Sequence, residues 1–423
     1  MVVYSPQHGD RTVYFSKTGP DTYSASYCAK EELRLDDSNS VSGEGFRLTD
    51  EDGGLWYFDA ATQMLTKMVP PGREAEIEYV YDVSNTRIEK QQRVHTWDDG
   101  GVQKTTVELR YFEYDDDDRV TQVTLQRGTD PLADPGDPSW TRLRRLQLRY
   151  YQAGDWQGNA GDLKSVTEQV PKPNDPGQWT EGKTDYYRYY TSSGAGAYQH
   201  GLKFSLSPQA TKNAGDYETI EDVDLAGYAN HYFEYDETSR RVTLSRIAGG
   251  TQTFSMAYTE NADIGHVDYN HWFLKTELST DDGARKVIYA NHIGQRLLAD
   301  LQDPGTNNWV EYRRYNEDAL LIEEYNPTAV VSYDEQQADL SVTLQDHEGV
   351  VRLTTYYDQT GNGQAQGYPA TEEIKRGALG QPVKLREYEY HKHEVWEGEG
   401  EEAVLDITVF IVNQQSLAAA NAF

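Results

Sequence analysis

Basic residues are scarce in this chain of 423 residues. There are 39 Lys+Arg against 70 Asp+Glu, a net charge of −31 at pH 7. That balance disfavours nucleic acid, whose phosphates need a basic face, and disfavours an anionic membrane surface for the same reason. Cysteine is nearly absent. Cys28 stands alone, which excludes an internal disulfide framework. With no histidine close to it in sequence, it reads as a small packed hydrophobe rather than a nucleophile. Apolar residues are few, at 37%. The longest apolar stretch near the end, residues 408–412, is far too short to span a bilayer. Residues 1–6 have neither a basic n-region nor an apolar h-region, so no signal peptide is expected there. No Asn-x-Ser/Thr sequon occurs. His-Glu-x-x-His, Walker, Gly-x-Ser-x-Gly and Cys-x-x-Cys motifs are also missing, so the familiar enzyme signatures find no support.

Aromatic residues, by contrast, are abundant: 12% of the chain, with 32 Tyr and 8 Trp. That content argues against disorder. The length suits two or three ordinary domains or one repeat array. Apolar residues rarely fall at helical spacing. Charged and apolar side chains instead alternate with near period two in Glu108 to Tyr114, Arg144 to Tyr150 and Val383 to Tyr390. Such segments predict half-buried antiparallel strands, and the Gly, Asp, Asn and Pro clusters between them predict turns.

The strongest signal is internal repetition. Tyr-Phe-Glu-Tyr-Asp occurs verbatim at Tyr111 to Asp115 and at Tyr232 to Asp236. The first copy, ending Tyr114-Asp115, continues to Arg119-Val120-Thr121. The second, ending Tyr235-Asp236, continues to Arg241-Val242-Thr243. A third is Tyr81-Asp82 with Arg87-Ile88. Looser copies are Phe58-Asp59 before Leu65, Tyr333-Asp334 before Leu340, and Tyr357-Asp358 before Gly361. Each reads as strand, aromatic-Asp, short polar turn, then an apolar residue opening the next strand. The Asp carboxylate is suited to accept turn N–H groups, and the aromatic to anchor the strand end. A second unit recurs at Asp134-Pro135-Gly136, Asp175-Pro176-Gly177 and Asp303-Pro304-Gly305, leading to Trp140, Trp179 and Trp309. These predict long hairpins with Pro-Gly tips, the Trp covering the first exposed rung of the returning strand.

The aromatic-Asp pairs, the Arg-apolar dipeptide after the turn and the Tyr-x-Tyr strands resemble the YD repeats of the bacterial Rhs (rearrangement hotspot) family. The segment Phe46 to Asp59, with Leu48-Thr49-Asp50-Glu51-Asp52-Gly53 leading to Tyr57-Phe58-Asp59, is similar to the opening of an Rhs repeat tract. Two features depart from that family. Thr86, Asp118 and Arg240 stand where it commonly has Gly before the turn's Arg, which predicts a different turn geometry. The Asp-Pro-Gly sites also lack the context of the family's autoproteolytic signature, so no protease residues carry over. The resemblance implies an all-β fold: one continuous antiparallel hairpin ribbon, curved or spiralling into an open partial shell. It implies a lead-in at 1–45, a repeat tract at 46–400 and an acidic and apolar tail at 401–423. The implied role is structural, part of a shell that encloses or presents a protein cargo, exported or at the cell surface. A surface adhesion or glycan-binding module on the same sheet is the alternative.

The remaining candidates for chemistry are weak. Asp115 to Asp118 gathers carboxylates that suit Ca²⁺, but equally makes a solvated hairpin tip. Asp358 to Gly363 is loosely like a calcium loop without its closing Glu. His391 and His393 share a strand face and need a third ligand to hold a metal. No catalytic residue, metal or cofactor is expected, and no nucleic acid or membrane insertion.

Overall fold

The computed structural model describes residues 54–59, 62, 64–70, 75–84, 86–261, 268–305 and 307–397. It also places backbone strands at Val2–Tyr4, Val13–Lys17, Thr22–Ala25, Glu32–Leu35, Glu44–Thr49 and Val404–Ser416. The fold is almost entirely antiparallel β, as the alternating segments predict. The chain divides into two compact units, 1–252 and 253–423. The expected boundary at 45/46 falls inside strand Glu44–Thr49. Residues 404–416 of the expected tail form a strand laddered to Val383–Glu397.

Each unit is a meander in which a strand pairs with the next in sequence. In the first unit, for example, Glu76–Tyr81, Ile88–Asp99, Val102–Tyr114, Val120–Gly128 and Thr141–Tyr150 follow one another in antiparallel register. In the second, Leu274–Thr280, Arg285–Ala290, Arg296–Gln302, Asn308–Tyr315 and Leu321–Tyr325 do the same. Among the described residues no ladder closes either ribbon into a barrel. Neighbour-to-neighbour pairing follows from short turns, which keep loop-closure entropy small.

A bare ribbon would leave both faces wet. Each unit covers part of one face with a segment inserted between two neighbouring strands. In the first, residues 207–230 run between Leu202–Leu206 and His231–Tyr235 and carry helices α1 (Pro208–Ala214) and α2 (Asp222–Leu225). Ser207 caps α1 and Pro208 opens it, a favoured start. Ala210, Leu225 and Ala229 bury Tyr186, Phe204 and Leu206 of the sheet. In the second unit residues 326–349 run between Leu321–Tyr325 and Val350–Tyr356. Ala329 and Leu340 there seal Tyr289, Leu297, Leu298 and Tyr312. The return is tight: Gly349 has φ +79°, and a Cβ on it would lie 2.2 Å from the Ala329 nitrogen, so only glycine fits.

The Asp-Pro-Gly segments do not behave alike. Asp134-Pro135-Gly136 is a hairpin tip, and Trp140 folds over the last rung at Gly128 while its Nε1 donates to the Asp134 carbonyl (2.9 Å). Asp303-Pro304-Gly305 is also a tip, with the Gly305 and Asn307 N–H groups on Asp303 Oδ1, but Trp309 is left 45% exposed. Asp175-Pro176-Gly177 is not a tip. It lies in strand Asp175–Trp179, paired with Pro171–Lys172. Pro is tolerated at such a small two-stranded edge, where one missing N–H breaks little pairing.

Candidate functional site

The repeated aromatic-Asp residues close hairpins. Asp59 Oδ1 accepts the Thr62 N–H (2.7 Å) and hydroxyl (2.8 Å). Asp82 accepts the Thr86 and Arg87 N–H groups (3.0 and 3.3 Å), the Ser84 hydroxyl (2.8 Å) and the Arg87 Nε (3.1 Å). Asp115 accepts the Asp117 and Arg119 N–H groups (3.0 and 2.9 Å) and the Arg119 Nε (2.8 Å). Asp236 accepts from Thr238 and Ser239 N–H (3.2 and 2.7 Å). The Thr86 N–H, above all, holds the Asp82 carboxyl far below the usual carboxylate range, and the Ser239 N–H lowers Asp236, with Arg241 adding its charge. For Asp115, partial desolvation opposes ionisation, and the Arg119 and Asp117 donors outweigh it. In each turn the backbone N–H of the Asp also donates to the carbonyl of the residue just before the next strand, at Met64, Arg87, Arg119 and Arg241.

The turn geometry answers the Gly substitutions. Asp118 and Arg240 adopt φ of +63° and +58°, the left-handed conformation that Gly favours, whereas Thr86 does not. The acidic run at 115–118 is bound by arginine: Arg119 engages Asp115 and Asp117 (2.8 Å each), and Arg87 reaches across to Asp118 (2.8 Å).

The aromatic partner has a role that strand packing alone does not convey. At each closing aromatic, the ladder to the returning strand shifts register as at a β-bulge: at Phe58, Tyr81, Tyr114, Tyr150, Tyr235, Tyr315 and Tyr356. A bulge re-aims the side chain at the end of the strand. The tyrosine hydroxyl then crosses to the preceding hairpin and donates to the carbonyl of the first residue of its returning strand. Tyr81 bonds Leu65 O (2.8 Å), Tyr114 bonds Ile88 O (2.7 Å), Tyr150 bonds Val120 O (2.9 Å) and Tyr235 bonds Leu202 O (2.8 Å). In the second unit Tyr315 bonds Arg296 O (3.0 Å), Tyr356 bonds Leu321 O (2.9 Å) and Tyr390 bonds Pro369 O (3.0 Å). The arginines interlock the same neighbours: Arg87 lies over the Tyr114 ring and Arg119 over the Tyr150 ring, at 5.2 and 5.0 Å. Replacing Tyr235 by Phe, which keeps the buried ring and orphans the Leu202 carbonyl, is expected to cost about 1 kcal/mol in a urea melt. An unchanged midpoint would show that the hydroxyl tie contributes nothing.

Two repeat assignments from the sequence do not hold this position. Tyr333-Asp334 lies in the covering segment 326–349. There Asp334 accepts the Gln336 N–H (3.0 Å) and its own N–H closes on the Leu340 carbonyl (2.8 Å) as in the other turns, but no strand of the main sheet ends at Tyr333, whose hydroxyl meets Asp300 (3.1 Å). Tyr357-Asp358 opens a longer loop. The strand-closing tyrosine is Tyr356, and the Tyr357 hydroxyl donates to Tyr388 O (2.7 Å). Gly361 pairs with Gln364 around an Asn362-Gly363 turn, which needs left-handed backbone at both positions and has it (φ +51° and +83°). Asp358 is exposed. Tyr151 and Tyr190 begin similar loops, with hydroxyls on Tyr187 O and Phe233 O. Conversely, Asn291 and Asn316 reproduce the Asp turn with an amide oxygen, accepting the N–H of Gln295 (2.9 Å) and Leu320 (2.8 Å). Cys28 and the side chains of His391 and His393 lie outside the described residues.

One place in the first unit gathers charge. Loop 191–197, strand Lys183–Tyr189 and α2 enclose a polar cavity of about 330 Å³, lined by Trp156, Arg188, Tyr190, Ser192, Lys203 and Asp222. Strand alternation puts Arg188 on the face of Tyr186, under the insertion, where it is 1% exposed. Its guanidinium makes four hydrogen bonds. It donates to Asp222 Oδ1 (2.6 Å), to the carbonyls of Tyr217 (2.9 Å) and Ile220 (2.8 Å) and to the Tyr186 hydroxyl (3.3 Å). The Trp156 ring stacks on it at 4.8 Å and is itself 49% exposed. Lys203 donates to Asp222 Oδ2 (2.6 Å) and sits 5.1 Å from the Tyr190 ring centroid. Lys203 and Asp222 also border a second groove with Tyr232 and Arg246. Sequence reading missed this cluster, because an arginine in an alternating strand is assigned to the wet face.

Among the described residues, no group of three or more His, Cys, Asp or Glu is arranged to hold a metal ion. No helix of the described residues is long and apolar enough to cross a membrane. No family model and no curated protein matches the sequence. Among solved structures the chain is similar to a porin-like protein from Bacteroides uniformis, at 7% identity and a TM-score of 0.16, over 73% of this chain and 90% of that one. A likeness that loose carries no argument about function.

Proposed function

We propose that the chain is a structural ribbon of the YD-repeat type, not an enzyme, that encloses or presents a protein cargo outside the cell or at its surface. The observation that supports this most is the tyrosine tie. The residues that give the sequence its character are spent on joining each hairpin to the one before it. Asp fixes the turn, Arg bridges to the next turn, and the Tyr hydroxyl reaches the previous strand. Repeating that device extends a sheet indefinitely, as quasi-one-dimensional architectures do.

The test is protease protection. The natural reading frame is expressed with its immediate genomic neighbours and digested under native conditions. A second polypeptide, or a further segment of the same one, is expected to survive digestion when the ribbon is present and to be degraded when it is omitted. Equal degradation in both cases rejects the cargo role. Turnover of a generic glycosidase, esterase, phosphatase or protease substrate that disappears on mutating one carboxylate or histidine rejects the non-enzymatic half.

A further inference from the structure

We infer that the cavity beside Trp156 binds a carboxylated sugar, one monosaccharide unit at a time. This goes beyond the scaffold role and does not depend on it.

The charge is the first argument. In a chain of net −31, this cavity brings two cations, Arg188 and Lys203, to one carboxylate, Asp222. Arg246 borders the adjoining groove, 5.4 Å from the Tyr232 ring centroid, and among the described residues no carboxylate lies within ion-pair distance of it. Asp222 is the carboxylate that lines this groove too, and Glu234, two residues along the same strand as Tyr232, accepts the Tyr232 hydroxyl (2.8 Å). A local excess of positive charge in an acidic surface concentrates anions there.

The second argument is what remains unspent. Arg188 spends four of its five N–H donors on the protein and serves as a fixed wall with one Nη1 donor left over. Lys203 carries three N–H donors, and the Asp222 bond uses one. A ligand carboxylate against the Lys203 ammonium gains a charge-assisted hydrogen bond in a half-enclosed site. Beside it the Thr191, Ser192 and Ser193 side chains line the cavity, hydroxyl groups suited to a polyol. The half-exposed Trp156 indole, which lines the cavity, offers apolar surface for the C–H face of a pyranose ring.

Preformation is the third argument. Loop 191–197 is fastened before any ligand arrives. Gly194 and Ala197 exchange N–H···O bonds (3.1 and 3.0 Å), and the Tyr235 N–H donates to the Gly196 carbonyl (2.9 Å). Just beyond, Gln199 bonds Asn159 (3.1 Å) and His200 Nδ1 meets Asp162 (2.7 Å). A site already ordered loses little entropy on binding. Its volume of about 330 Å³ lies at the small end of ligand sites, enough for one sugar ring and too little for an oligosaccharide.

The experiment is calorimetric titration, at low ionic strength, with glucuronic acid and N-acetylneuraminic acid. Glucose tests the contribution of the carboxylate, and acetate tests that of the ring. Saturable binding of at least one acidic sugar is expected, with glucose and acetate each about tenfold weaker or more, and binding weakened by added salt. Lys203→Gln is expected to reduce affinity about tenfold, the loss of one charge-assisted bond. Trp156→Ala, at a half-exposed position that leaves the core intact, is expected to reduce it as well. The inference fails if neither acidic sugar binds saturably, if glucose or acetate binds as tightly as they do, or if the natively folded Trp156→Ala protein binds unchanged.

Discussion

Above pH 10 the protein is expected to unfold steeply, its buried tyrosines ionising together with the loss of β structure. Tyr151, Tyr235, Tyr289, Tyr312, Tyr325 and Tyr390 are all less than a tenth exposed. Burial disfavours their phenolate forms. It pushes Tyr235, Tyr312 and Tyr390 up to about 12, and Tyr151, Tyr289 and Tyr325 higher still. The hydroxyl ties act in the same sense where they are donors, because a phenolate cannot donate. The sign follows from linkage. A folded-state pKa raised above the unfolded value of about 10 means that, above pH 10, the unfolded chain has released protons that the native state still holds. Stability is therefore complete below pH 10 and falls as pH rises through the folded values. Each such tyrosine forfeits roughly 1.4 kcal/mol per pH unit in that window. Several acting together exhaust a typical stability of about 5–15 kcal/mol within about two units. Absorbance at 295 nm and circular dichroism, followed from pH 9 to 13, should change in step. A smooth tyrosine titration centred near pH 10 with unchanged circular dichroism would refute the expectation.

The same tyrosines mark how far the sequence could be read. Period-two alternation and the verbatim Tyr-Phe-Glu-Tyr-Asp copies led directly to hairpins, because strand period and Asx turn chemistry are local properties. The turn carboxylates at Asp82, Asp115 and Asp236 were legible for that reason. The hydroxyl ties were not. Tyr150 and Val120 are thirty residues apart, and nothing local states that a register shift at the strand end will re-aim the ring toward the preceding hairpin. The Asn291 and Asn316 turns were not legible from the letters Tyr-Asp, because the chemistry needs only a side-chain oxygen. Tyr333-Asp334 and Tyr357-Asp358 show the converse: the letters without the strand end. The two covering segments were illegible for a further reason. Their few apolar anchors, Leu225 in one and Leu340 in the other, acquire meaning only once there is a sheet face to bury.

Arg188→Met is expected to release the covering segment of the first unit while leaving the hairpin ladder in place. In the second unit the cover is sealed by apolar contacts, Ala329 and Leu340 on Tyr289 and Tyr312. In the first it is held in addition by a single buried guanidinium that binds Asp222 and the carbonyls of Tyr217 and Ile220 at once. Methionine matches much of the volume of the stem and supplies no donor. It leaves two carbonyl oxygens without their donor and Asp222 with Lys203 alone. Breaking a fully buried pair by removing one partner costs about 3–5 kcal/mol. Asp222 here is 32% exposed and keeps Lys203, so the loss falls mainly on the two carbonyls and is expected to be about 2–3 kcal/mol. Arg188→Lys should not rescue the loss, since a single ammonium on a flexible stem cannot span acceptors that a planar fork meets together. Asp222→Asn should cost less, as the two carbonyl bonds survive. The effect is local, so amide hydrogen exchange is the sharper readout. Protection should fall at residues 210–226, where α1 and α2 bond internally, and persist in strands Val102–Tyr114 and Val120–Gly128. If Arg188→Met melts within about 0.5 kcal/mol of the parent and α1 and α2 keep their protection, the guanidinium is not what holds the segment down, and packing of Leu225 on Tyr186 and Phe204, together with the Glu218 pairs to Arg149 and Lys164 and the Thr211 bond to the Thr184 carbonyl, must suffice.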